Sequence, residues 1–379
     1  MGGKPRLLFV DNLRLAVIAL VVCLHAAVTY SGLGSWYYKE TLPQGPATHL
    51  FFAVFQSFSQ AFFMGALFLL AGYYAAASLR SKGTAAFVTG RLVRLGLPSL
   101  FYMAVMQPLM IYYLLNGVRV RIDVPFSVYY RGYLTSTAFP SGSGPMWFAV
   151  ALLVFCLVYA LASLGAHPGK PAAQPSRPPS AVVALLAAVI ALGAFLLRLR
   201  WPIGTNVYNM QLGYFSQYML LFCFGTVAYG RNWLAGMDAA RGGRLVLAAV
   251  SGIPVLIALI VYSGAFDGNP ALRGGWNWAS AAFAVWESVT GVCMSVGLLG
   301  VLRARWNTQT PLVASLSACA FAVYVFHPPV LIGISLGLRH LALGAFAKFL
   351  LASALALPAS FAVAWLARRT PLVRDMVRS

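Results

Sequence analysis

An aspartate, an arginine and a histidine share one helical face near the start of this chain. They lie in DNLRLAVIALVVCLH, Asp11 to His25. A helix advances about 100° per residue, so the eleven-residue step from Arg14 to His25 leaves the side chains about 20° apart in azimuth and about 16 Å apart in height. Asp11, three residues before Arg14, falls within about 60° of the same line. Leu15, Ile18, Val21 and Val22 suit lipid or a neighbouring helix, but the ionisable column does not. Such a group inside a membrane span costs about 3 kcal/mol even on the mildest scale and marks function by default. Asp11 sits where water is within cheap reach, and His25 lies deepest. A histidine with no nucleophilic Ser or Cys motif suits direct transfer, in which it takes the proton of an incoming hydroxyl.

Four further groups carry chemistry. In RLVR, Arg91 and Arg94 stand about 60° apart on a helix that starts another apolar run, with Pro98 a turn further on. Two guanidiniums so placed make a fork for phosphates; equally, such arginines mark the cytoplasmic end of a span. In YVFHPP, Tyr324 to Pro329, the prolines lack N–H groups, so the carbonyls of Tyr324 and Val325 lose their helical partners. The helix is expected to break there and turn His327 to a buried or wet cavity, the alternative being a proline kink with His327 bonded to a neighbouring helix. Glu287 is the sole acid deep in the later apolar runs and needs a cation or a proton, with Arg14, Lys348 or a histidine as candidate partners, in a structural pair or in catalysis. In GPMWF, Trp147 is expected at the membrane interface, as a belt anchor or as part of the site.

Other chemistries have no foothold. The five cysteines stand singly inside apolar runs, and no histidine or cysteine spacing suits a metal. There is no GxSxG, HExxH, Walker or GxGxxG motif.

The elements that must hold these groups are membrane helices. Of 379 residues, 60% are hydrophobic and 9% charged, and the mean hydropathy is +0.79. Apolar runs of span length fall at roughly 8–30, 50–78, 92–115, 146–165, 181–200, 212–230, 245–264, 278–302, 315–338 and 344–367. The first is too long and too polar for a signal-peptide core and is expected to stay as a span. The fold class expected is an all-α polytopic membrane bundle of about ten transmembrane helices, forming a single domain over 1–379. The net charge of +20 is scattered at the ends of the runs, a topological pattern rather than a nucleic-acid surface. About 17 Lys and Arg fall on one face and about 8 on the other, which puts both termini in the cytoplasm. The segment 166–180, AHPGKPAAQPSRPPS, reads as a cytoplasmic tether between four spans and six. The segments 32–49 and 116–144 are rich in Tyr, Trp, Gly and Pro, as interfacial loops lining an acceptor cleft would be.

In order, these stretches resemble the acyltransferase type 3 family of membrane enzymes that O-acylate bacterial surface glycans. Arg14 and His25 are similar to its Arg, ten residues, His motif; Arg91 and Arg94 to its Arg-x-x-Arg motif; GPMWF and YVFHPPVL to its Trp-Phe and Tyr-to-His-Pro segments. The resemblance runs from the first helix to the ninth. No esterase-like outer domain is expected, since the chain ends soon after the tenth run.

The resemblance implies a multi-pass protein of the inner membrane with acyl-CoA, acetyl-CoA in the first instance, as donor and a glycan or other hydroxyl compound as acceptor. Arg91 and Arg94 would hold the CoA phosphates, His25 would act as general base, and Arg14 would steer the donor or stabilise the oxyanion. Asp11, Glu287, Tyr324, His327 and Trp147 are further candidates, and no metal or nucleic acid is implied. A transporter or flippase binding its substrate at a broken helix is the rival reading, and it needs neither the Arg14–His25 column nor the arginine fork. A membrane scaffold would leave the intramembrane His and Glu without a purpose.

Overall fold

A computed structural model describes residues 7–165, 169 and 171–370. Lys4, Arg6, Lys170, Arg374 and Arg378, which entered the charge count, and residues 166–168 of the proline-rich segment lie outside the described residues. In lipid a backbone must satisfy its own N–H and C=O groups, so each apolar run closes into a helix. No strand occurs among the described residues.

In chain order the first five membrane helices are α1 (Leu8–Ser31), α2 (Pro46–Lys82), α3 (Thr84–Leu114), α4 (Gly144–Ala162) and α5 (Ser180–Arg200). Then come α6 (Phe215–Gly230), α7 (Ala239–Tyr262), α8 (Trp278–Arg305), α9 (Pro311–Leu338) and α10 (Ala345–Ala367). Nine of these, among the described residues, are long and apolar enough to cross a membrane. The exception is α6, whose 16 residues span about 24 Å against about 30 Å of hydrocarbon. It is clasped to α2: Gly72 faces the Phe222 carbonyl, and Gly225 faces the Leu69 carbonyl, at distances that admit no side chain. Small residues let backbones approach closely where packing, rather than water, drives association.

The helix α1 runs through the middle of the bundle, packed by α2, α8, α9 and α10. Against it, α3 is irregular. Pro98 and Pro108 cannot donate, and upstream of each the helix widens to i→i+5 bonding, Leu97 to Leu92 and Gln107 to Tyr102. The carbonyls freed ahead of Pro108 are taken by the helix Phe126–Thr135, Tyr133 donating to Met103 (2.8 Å) and Tyr130 to Ala104 (3.0 Å).

Two expectations need correction. The helix α9 does not break at Pro328 and Pro329 but continues to Leu338, for a reason that belongs to the site below. The segment before α5 is more than a tether, because Ala172 N–H donates to Gly230 O (2.9 Å) and the Ser176 hydroxyl to Arg231 O (2.8 Å).

Candidate functional site

His25 lies about three-quarters of the way along α1, half-buried and turned inward. Its Nδ1 is 3.0 Å from Nε2 of His327 on α9, and the rings are nearly coplanar, 3° apart. His327 is fully buried. Its other nitrogen, Nδ1, lies 3.0 Å from the Tyr324 carbonyl and 3.2 Å from that of Val323. The Tyr324 carbonyl is one that proline orphaned, so the side chain supplies the donor the backbone lacks, and the helix continues.

This contact fixes the protons. Carbonyl oxygens only accept, so His327 Nδ1 donates, and Nε2 of a neutral His327 then accepts. His25 Nδ1 must donate to it, which leaves His25 Nε2 as a free lone pair.

One face of the His25 ring is covered by Trp36, with centroids 3.6 Å apart and planes 12° apart. Trp36 comes from the loop after α1. Gly32 ends that helix in the left-handed conformation (φ 73°), which reverses the chain. The last carbonyls of the helix are then capped by the loop itself, Thr29 O by Glu40 N–H (2.8 Å) and Tyr30 O by the Gln44 amide (2.9 Å). So held, the loop lies across the helix end and lays Trp36 on the imidazole. Sequence reasoning placed this loop near an acceptor but missed Trp36; the aromatic cluster SWYY directly after a histidine-bearing helix was the available signal.

A shell of tyrosines surrounds the pair. The Tyr324 hydroxyl donates to the Pro145 carbonyl at the start of α4, which brings the GPMWF and YVFHPP stretches together. The Tyr37 hydroxyl bonds to Gln107 and to the hydroxyl of buried Tyr102 (3.1 Å), and Arg119 donates to Tyr37 O (2.6 Å). Burial pushes the Tyr37 phenol well above its usual range, so it stays protonated. A cavity of about 510 Å³ opens beside Gln107, lined also by Tyr129 and Tyr133.

At the opposite end of α1, Arg14 pairs with Asp11 (3.7 Å) and lies over the Tyr74 ring, 5.2 Å from its centroid. Arg91 lies over Phe87 at 5.1 Å and within electrostatic reach of both Arg14 and Arg94. Arg94 is exposed. Three guanidiniums thus gather at the end of α1 remote from His25. For Arg14, the eleven-residue rise of α1 sets its backbone about 16 Å from that of His25.

Glu287 does not pair with Arg14, Lys348 or a histidine. Its partner is Arg198, fully buried in the last turn of α5, which also donates to Gly213 O (3.1 Å). By sequence Arg198, two residues before the end of an apolar run, falls among the eight cations at the less basic ends of the runs; only packing shows that its side chain turns inward. Lys348 instead meets Glu40 (2.5 Å) and the Arg339 carbonyl (3.1 Å), pinning α10 to the Trp36 loop. Trp147 stands in the first turn of a span, with part of its ring exposed and part packed. It is tilted against Tyr218 at 5.6 Å.

A family model described as an acyltransferase domain matches residues 7–369. No curated protein and no solved structure shows significant similarity to the chain.

Proposed function

Since the chain belongs to the acyltransferase type 3 family, and is thus a membrane acyltransferase, we propose that it moves an acyl group, acetyl in the simplest case, from cytoplasmic acyl-CoA to a hydroxyl of a surface glycan at the inner membrane, with His25 as general base. The observation that carries this reading is the His25–His327 hydrogen bond (3.0 Å), which leaves His25 Nε2 unprotonated in the neutral pair.

In this mechanism Arg14, Arg91 and Arg94 hold the CoA phosphates, and the pantetheine arm carries the thioester along α1 toward His25. Of the two roles open to Arg14, donor steering fits the rise of about 16 Å and oxyanion stabilisation does not. The acceptor enters from the outer aromatic side, past Tyr129 and Tyr133. His25 Nε2 takes the proton of its hydroxyl as the oxygen attacks the thioester carbonyl. The tetrahedral intermediate collapses, the C–S bond breaks, and the imidazolium returns the proton to the departing CoA thiolate. His327 accepts from Nδ1 throughout and holds the ring in that tautomer.

The test is acceptor-dependent release of CoA thiol by the purified protein. His25→Ala is expected to lower the rate by at least about 10²-fold while the protein stays folded; turnover at the wild-type rate rejects the assignment. Arg91→Ala and Arg94→Ala are expected to raise KM for acyl-CoA more than they lower kcat, and an unchanged KM removes their role.

A further inference from the structure

On the far side of the bundle from α3, α5 and α7 both pack on α8 but make little contact with each other. The gap between them is a trench of about 910 Å³, at the upper end of what a single organic ligand occupies. Its shape follows from side-chain size. Ala184, Ala188 and Ala191 form the α5 wall, and Val285 and Val289 of α8 line the floor. On the other wall Gly242 sits against the backbone of Gly297 and Gly300, which draws the start of α7 onto α8 and away from α5. The lining residues Leu192, Val285 and Val289 are exposed, so the trench opens sideways, toward lipid.

One end of the trench is different in kind. Arg177, Arg241 and Arg244 gather there with Ser180, at the end that bears the α5 and α7 N-termini. Arg241 reaches the Ser180 hydroxyl (3.3 Å), and Arg177 pairs with Asp238 (3.4 Å). The backbone N–H of Arg241, and then the Arg177 guanidinium, hold the Asp238 carboxyl below its usual range, so it remains an anion. Three cations therefore face one carboxylate, leaving an excess of positive charge at the mouth of an otherwise apolar channel. From Ser180 to Phe195 the channel runs about 22 Å along α5, against about 15 Å for one leaflet, so it takes a whole acyl chain. A soluble phosphate compound would waste the apolar length, and a neutral lipid would leave the arginines unmatched.

We propose that this trench binds an anionic phospholipid, one chain lying on α8 between α5 and α7 and its phosphate meeting Arg241 and Arg244. None of these residues belongs to the His25 site. The experiment uses the intact protein in nanodiscs containing equal phosphatidylglycerol and phosphatidylcholine, with the lipids retained on release read by native mass spectrometry. Wild type is expected to retain phosphatidylglycerol in preference. The variant Arg241→Gln/Arg244→Gln is expected to lose that preference by about fivefold for each arginine removed. Ala188→Trp, at an exposed position that disturbs no core contact, is expected to lose the retained lipid whatever its headgroup. Equal retention of the two lipids by wild type, or unchanged retention by either variant, overturns the proposal. Acyl transfer is not read in this experiment, so its failure leaves the reading of His25 untouched.

Discussion

His327 has both ring nitrogens committed, one to its own helix and one to His25. As the partner that sets which His25 nitrogen is free, it is a positioning residue, and its loss should act on turnover rather than on donor binding. His327→Ala is expected to lower kcat about 10²-fold with KM for acyl-CoA unchanged, and His327→Gln, which keeps an acceptor near the old Nε2, to recover part of the rate. Equal activity in wild type and both variants would refute that positioning role. The pairing of Arg198 with Glu287 makes a separate, structural case. Removing one member of a buried ion pair strands the other, so Arg198→Met is expected to lose about 3–5 kcal/mol, seen as a lowered Tm in detergent. Arg198→Met combined with Glu287→Met should recover most of that loss, because no charge is left without a partner.

Among the elements, α6 depends most on its neighbour. It is too short to be a comfortable span, and its close seat on α2 uses two glycines whose Cα atoms touch the opposite carbonyls. Gly225→Leu would drive a side chain into the Leu69 carbonyl and is expected to abolish accumulation of folded protein in the membrane. Gly230→Ala, where the added methyl meets open space, is expected to leave both amount and activity unchanged. Gel filtration of the detergent extract separates the two outcomes. The widened turns of α3 have the same logic at another site: prolines remove donors, and the Phe126–Thr135 helix returns two of them as tyrosine hydroxyls. The connection between α3 and α4 is therefore part of the bundle rather than a free loop.

For the whole molecule, orientation turns on whether α6 crosses. With it there are ten crossings and the termini share a side; without it there are nine and they do not. The close α2–α6 seat argues for a full crossing, so a membrane-impermeant maleimide is expected to label Asn206→Cys from outside the cell and Arg231→Cys only after the membrane is opened. Labelling of both from one side would overturn the ten-span topology. The membrane class, the helical bundle and the family motifs were legible in the sequence, because hydrophobic run length and the spacing of Arg14 and His25, or of Arg91 and Arg94, are properties of single helices. Membership of the acyltransferase family then favours an enzyme over a transporter. What the sequence alone could not settle was every partnership across helices: His25 with His327, Trp36 on the imidazole, Glu287 with Arg198, Lys348 with Glu40. A buried charge announces that it needs a partner but not which one. That choice is made by how helices far apart in the chain pack, and packing is decided by the summed fit of many small contacts that no local pattern records.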